Sequence, residues 1–140
     1  MDMTHQRDTL ETDVLIVGGG PAGLAAAIRL KDLLAERGKR AGEAPLDPSV
    51  MVIDKAAEFG AHSISGAVLD PSSLRELFPN LDDMDAPLGA RVVKDSVEYL
   101  FKESKFRLPI TPPPLQNHGN HVISLNHLVK WLAGEAEKRG

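Results

Sequence analysis

Gly18, Gly20 and Gly23 stand in the run VLIVGGGPAGLAAA, Val14 to Ala27, and their spacing suits a phosphate seat. Mostly β-branched apolar residues lead into the first glycine, and a helix former follows the last. This order predicts a strand, a tight turn and a helix N-terminus, the arrangement that holds the pyrophosphate of a dinucleotide. Gly18 permits the sharp exit from the strand, Gly20 leaves no side chain between backbone and phosphates, and Gly23 lets the helix pack on the strand. The helix dipole adds about half a positive charge where the phosphates would sit. A merely flexible glycine turn would lack the agreement of strand, Pro21 and alanine-rich helix.

Asp54, at the end of VMVID, forms the second half of the pattern. A carboxylate there can accept hydrogen bonds from both ribose hydroxyls, and it repels a 2′-phosphate, which argues against NADP. Its distance from the glycines exceeds the usual spacing of about twenty residues. The polar stretch Gly38–Ser49 lengthens the crossover. The competing reading is a strand-end acid facing water. After Asp54, the segment KAAEFGAHSISGAVLDP puts Gly60 and Gly66 around a loop of small residues that a flat ring could approach. That moves the choice from NAD towards FAD.

The elements that must position these residues follow from pattern. Asp13–Val17 reads as a first strand buried on both faces. A helix is expected from Pro21 to Glu36, with Pro21 in its first turn. Ala22, Ala25 and Ala26 are small enough for it to lie close on the sheet, and Leu24, Ile28 and Leu34 share a stripe. Gly38–Ser49 reads as a loop, Val50–Asp54 as the second strand and Glu58–Gly66 as a loop. A short helix is expected over Pro71–Phe78, capped by Asp70, stapled by Leu69 onto Leu74 and stopped by Pro79. Asp82–Leu88 reads as an acidic turn. Arg91–Leu108 reads as paired strands around a Lys102–Ser104 turn, followed by a proline-rich loop to Asn120. A short strand at His121–Ile123 precedes a last helix, Leu125–Arg139, capped by Ser124 and buried through Leu125, Leu128, Val129 and Leu132.

The chain has 140 residues, a net charge of -4 and no cysteine. Its length suits one small domain, and the acidic balance argues against nucleic acid as a partner. Without cysteine this segment holds no disulfide, thiolate metal site or iron–sulfur cluster. Residues 1–12 read as a flexible arm, not a secretory or organellar leader, because they have no apolar core and carry acidic residues. No run reaches the roughly 20 apolar residues of a membrane span. His118, His121 and His127 lack a matching carboxylate or thiol, so no metal is assigned to them. Asp82, Asp83 and Asp85 lack the glycine and distal Glu of a calcium loop and read as a solvated turn. A doubly wound sheet needs more parallel strands than are found here, so the chain is expected to be part of a larger protein.

The later blocks are more specific than the glycines. GAHSISGAVLDPSSLRELFP, then APL, then LQNHGNHVISLNHLVKWL closely resemble the electron-transfer flavoprotein–ubiquinone oxidoreductase family, a likeness that covers about Asp13 to Gly140. Geranylgeranyl-reductase-like flavoproteins share the first block and lose most of the second. The resemblance implies an α/β fold: a Rossmann-like FAD-binding βαβ unit of the glutathione-reductase type, with an inserted antiparallel β segment, in an incomplete chain. Residues 13–140 would be the N-terminal portion of the FAD-binding domain. It also implies an enzyme that takes electrons from reduced electron-transfer flavoprotein and passes them to ubiquinone. The alternative is a related reductase or hydroxylase acting on an isoprenoid or aromatic substrate.

By the same likeness the cofactor is FAD, with a [4Fe–4S] cluster that this segment does not ligate. FAD contacts would fall on Gly18, Gly20, Pro21, Ala22, Gly23, Asp54 and Lys55, and on Gly60, Ala61, His62, Ser63, Ser65 and Gly66 of the following loop. Lys55 reads better as a solvated side chain than as a phosphate ligand, and His62 as a loop histidine satisfied by backbone. No acid–base or nucleophilic residue is needed, because the flavin carries the electrons. The protein would lie peripherally on the inner face of the respiratory membrane, the cytoplasmic side in bacteria. Lys102, Lys105 and Arg107, beside Phe101 and Phe106 and ahead of the uncharged LPITPPPLQN, suit contact with anionic lipid near the quinone entrance. A piece of this length alone, with half of a nucleotide seat, is expected to be inactive.

Overall fold

The computed structural model describes residues 9–42, 46–64 and 66–140. The first unit is β1 (Val14–Val17), α1 (Pro21–Ala41) and β2 (Val50–Ile53). The two strands pair in parallel, Val14 opposite Val50 and Val17 opposite Ile53. Residue types account for each piece: β-branched runs form the strands, and Pro21, whose missing N–H costs nothing in the first turn, starts the helix. Thr12 and Asp13 tie the entrance to β1. The Thr12 hydroxyl donates to the Ser49 carbonyl (2.9 Å), and the Asp13 carboxylate accepts from the Ser49 N–H (2.8 Å). The remainder of the expected arm, residues 1–8, lies outside the described residues.

Four expectations are corrected here. β1 is not buried on both faces: Leu15 is 52% and Val17 77% exposed. The cause is that α1 packs on one face of a two-stranded sheet, and among the described residues nothing covers the other. α1 runs past Glu36 to Ala41, so Gly38 is a buried helix residue and the connection begins later than Gly38. The helix ends at Gly42, whose φ of 65° gives the left-handed cap that glycine adopts without strain. Ala22, Ala25 and Ala26 do not face the sheet. They line a groove with Leu69 and Leu74, while Leu24 and Ala27 turn towards β2.

The fourth correction concerns the segment after the loop. Gly66–Leu69 is a strand, β3, and it pairs antiparallel with β6 (His121–Ser124). The short helix α2 spans Ser72–Leu77, flanked by Pro71 rather than Asp70, though the Asp70 carboxylate still accepts the Ser72 N–H (3.0 Å). β4 (Glu98–Leu100) and β5 (Lys105–Arg107) form a hairpin around the expected turn, with Lys105 paired to Glu98 across it at 2.9 Å, but the pairing is shorter than the expected Arg91–Leu108, because residues 92–97 belong to no strand. α3 (Leu125–Glu137) begins at the expected cap, where Ser124 Oγ accepts from the His127 N–H at 3.4 Å.

The core sits between α1 and α3 and is closed by α2. Leu24 and Ile28 of α1 meet Leu128, Val129 and Leu132 of α3, with Leu74, Phe78, Leu81 and Ile123 completing the cluster. Leu34 is only half-buried. Arg139, anchored to Asp32 of α1 at 2.8 Å, lies over the Phe78 ring. α1 and α3 thus form a rigid support on which the β1–α1 turn and the loop after β2 both rest.

Candidate functional site

The turn after β1 is built by three contacts. The Gly18 N–H donates to the Ile53 carbonyl (2.8 Å), which extends the parallel ladder one step beyond the strands. The chain then reverses at Gly18, where φ is +115°. The Gly19 N–H donates to Asp54 Oδ2 at 2.7 Å. Asp54 Oδ1 accepts the Ala56 N–H at 2.8 Å. One carboxylate therefore ties the glycine turn to the end of β2. Each carboxylate oxygen keeps a lone pair for a further donor such as a ribose hydroxyl.

The glycines of the motif have different physical reasons. A Cβ on Gly23 would overlap the Gly18 carbonyl oxygen and crowd Ile16, so helix and strand approach as closely as backbone allows. A Cβ on Gly20 would meet nothing within 4 Å. The space it would enter belongs to a cleft of about 560 Å³ at the N-terminus of α1. No acidic residue lies in the first turn of α1, so its positive end is left for an external anion. Gly23→Ala is expected to destabilise the unliganded fold by about 1–3 kcal/mol through overpacking. Urea unfolding checks this; an unchanged midpoint would reject the close approach.

The cleft gathers many of the residues picked out in the sequence. Gly18, Gly20, Asp54, Lys55, Gly60, His62 and Ser63 line it. Lys55 and His62 are exposed. Pro21 and Ala22 lie elsewhere, on the groove facing α2. Gly23 sits behind the turn, Ala61 is an exposed part of the loop and Gly66 opens β3. Ser65 lies outside the described residues. Sequence reasoning missed Gly19, Phe59, Asn126 and Val129. The Phe59 ring occupies the place of a Gly19 side chain, Asn126 grips the Gly60 carbonyl (2.7 Å), and Val129 forms part of the cleft wall. Gly19 carried a signal, being the middle glycine of GGG; the others carried none.

The histidines after the hairpin serve the backbone: His118 Nδ1 lies 3.1 Å from the Val93 carbonyl and His121 Nδ1 3.1 Å from that of Gly89. Asp82 pairs with Arg75 at 2.9 Å.

The Ala56 N–H, and after it that of Gly19, hold the Asp54 carboxyl below its ordinary range. A depressed carboxylate contributes stability that is complete above its unfolded value and is lost as pH falls through the lower folded value. The affected window therefore lies below about pH 5. Asp54→Asn removes this contribution. The thermal midpoint of the unliganded variant should fall less steeply than the parent's on acidification, and parallel curves would exclude the two backbone bonds as the cause.

A parallel β–α–β unit, a glycine turn against a helix N-terminus and a carboxylate at the next strand end define a dinucleotide-binding α/β domain. Residues 11–140 match the FAD binding domain family, and the chain belongs to it. The chain is also similar to proteins named electron transfer flavoprotein-ubiquinone oxidoreductase, mitochondrial. The Mus musculus protein is 46% identical over 136 residues, which is 96% of this chain and 21% of that protein. The Homo sapiens protein is 43% identical over the same length and shares. The Arabidopsis thaliana protein is 47% identical over 134 residues, 96% of this chain and 20% of its own. The chain thus spans about a fifth of the length of these relatives.

Proposed function

We propose that the chain is the FAD-binding N-terminal part of an oxidoreductase that passes electrons from reduced electron-transfer flavoprotein to ubiquinone. The observation that carries this reading is a cleft with the features of an FAD seat in a chain 43% identical, over 96% of its length, to a protein named for that reaction. The residues present fit the cofactor. Gly20 leaves room at the positive end of α1 for the pyrophosphate, and Asp54 is held ionised with lone pairs free for the adenosine ribose. When bound, FAD supplies the capacity to accept and pass on electrons. The chain's own work is to seat it: the glycine turn meets the phosphates, and Gly60–Ser63 pass beside it from the far wall of the cleft. The Ala61 and Ser63 N–H groups are engaged within the loop by the Glu58 and Gly60 carbonyls, so stabilising negative charge on a reduced ring would fall to those of Gly60 and His62.

The rest of the reading extends beyond these residues. The βαβ unit is of the glutathione-reductase type, with the β4–β5 hairpin as an inserted antiparallel segment. A [4Fe–4S] cluster would take its ligands from sequence outside this one, which has no cysteine. The protein would act peripherally at the inner face of the respiratory membrane. Among the described residues no helix is long and apolar enough to cross a membrane. The β4–β5 hairpin exposes Tyr99, Leu100, Phe101 and Phe106 beside Lys102, Lys105 and Arg107, a combination that suits an anionic lipid surface near the quinone entrance.

The decisive experiment mixes reduced electron-transfer flavoprotein with the full-length protein and a short-chain ubiquinone. Reoxidation of the donor that requires both protein and quinone is expected. Reoxidation independent of quinone, or reduction of an isoprenoid substrate instead, would overturn the assignment. For the lipid contact, changing Lys102, Lys105 and Arg107 together to Glu should reduce binding to anionic vesicles about a hundredfold or more, since each basic residue near such a surface contributes about 1 kcal/mol. Unchanged binding would reject it.

A further inference from the structure

The loop that carries His62 and Ser63 into the cleft is fastened to α3 rather than to the strands on either side of it. Gly60 is its pivot. Its φ of +83° is the left-handed turn, and a Cβ there would stand 2.9 Å from the Asn126 carbonyl oxygen and 3.4 Å from Val129. The Gly60 carbonyl accepts two hydrogen bonds, from the Ser63 N–H at 2.9 Å and from Asn126 Nδ2 at 2.7 Å. Both of its lone pairs are therefore engaged. Next to it, Glu58 pairs with Lys130 at 3.3 Å, one turn further along α3. That ion pair is exposed at both ends and contributes little. Asn126 is the partner with fixed geometry, because the first turn of α3 is itself rooted in the β3–β6 ladder.

We propose that Asn126 is a positioning residue for FAD. It is not among the residues lining the cleft, and it acts through Gly60, setting the path on which Ala61, His62 and Ser63 pass the cofactor. The proposal rests on the FAD reading of the cleft. A carbonyl that lost the Asn126 donor would keep only the local bond from the Ser63 N–H, which moves with the loop, so no bond at Gly60 would tie the turn to α3, and the αL turn at Gly60 has no side chain to resist the change. The result would be a looser wall and weaker cofactor retention, with the α1–α3 core untouched.

The test is Asn126→Asp in the full-length protein, compared with the parent and with Gly20→Val. Aspartate keeps the size of asparagine and replaces the donor with an ionised acceptor facing the Gly60 carbonyl. The FAD dissociation constant at neutral pH should rise about tenfold, the worth of one hydrogen bond turned into a repulsion. The thermal midpoint of the flavin-free protein should stay within roughly 2 °C of the parent. Protonation of the new carboxyl restores a donor, so the ratio of variant to parent dissociation constants should fall towards one by about pH 4. Glu58, His62, His127 and Lys130, the titratable neighbours on loop and helix, are common to both proteins and cancel in that ratio.

An unchanged dissociation constant would overturn the proposal. So would a ratio independent of pH, or a large loss of thermal midpoint in the flavin-free variant, which would mark Asn126 as structural only. Gly20→Val separates the two levels of argument. If it loses FAD while Asn126→Asp retains it fully, the cleft reading stands and the positioning role falls. If Gly20→Val also retains FAD, the cleft reading itself fails.

Discussion

Gly20→Val should empty the protein of FAD and leave it folded. The fold has no objection to the valine. Gly20 has φ −78° and ψ −179°, an extended conformation that β-branched residues favour. Its Cβ would meet nothing within 4 Å. The two added methyls would stand in the cleft at the N-terminus of α1, where the first N–H groups have no partner within the helix. They would hold the phosphates away from those donors and from the positive end of the dipole. Charge-assisted hydrogen bonds contribute about 1.5–3 kcal/mol each, so losing two weakens binding by about a hundredfold or more. Flavin content after purification, and the thermal midpoint of flavin-free protein beside the parent's, are the two readings needed. Full flavin content in the variant would remove the pyrophosphate from this turn. A collapsed midpoint would mean that Gly20, like Gly23, is required by packing.

The contrast between Gly20 and Gly23 marks how far the sequence could be read. β1, α1 and β2 were legible because each carries a local signal: β-branched runs, a glycine turn, Pro21 at the helix start. The spacing pointed to both glycines and to a different reason for each, and the structure supplies the contacts behind those reasons. Only the backbone geometry reveals that one is pressed against the Gly18 carbonyl and the other faces open space. The end of α1 was misplaced because Gly38 and Gly42 are equal as breakers in sequence. Gly38 is buried inside the helix, and the left-handed cap falls at Gly42. β3 was illegible for a different reason. GAVL is four residues between loops, and its extended state is fixed by pairing with His121–Ser124 far along the chain. The same holds for Asn126, whose partner Gly60 is distant in sequence. Local patterns report local structure, and this site is closed by long-range contacts.

Phe78→Ala should destabilise the fold by about 3–5 kcal/mol. Phe78 is 1% exposed and follows α2 directly. A helix of six residues has no stability of its own in water, so α2 stays formed because its end is packed. The Phe78 ring makes that packing. It meets Trp131 of α3 edge-on, with centroids 5.0 Å apart and planes at 60°, and the Arg139 guanidinium lies 5.4 Å from its centre. Arg139 in turn bonds Asp32 of α1 at 2.8 Å and the Glu135 carbonyl at 2.8 Å. Removing the ring therefore opens a cavity where α1, α2 and α3 meet and leaves the guanidinium without its aromatic face. Large-to-small changes of this kind cost about 3–5 kcal/mol, against a total of about 5–15 kcal/mol for a folded domain. Urea unfolding of the flavin-free protein should show a lower midpoint with an unchanged slope. Saturating FAD should recover part of the loss, because a ligand that binds only the folded state stabilises it by mass action. A loss below about 1 kcal/mol, the level of an ordinary surface change, would mean that α2 is held by something other than this ring.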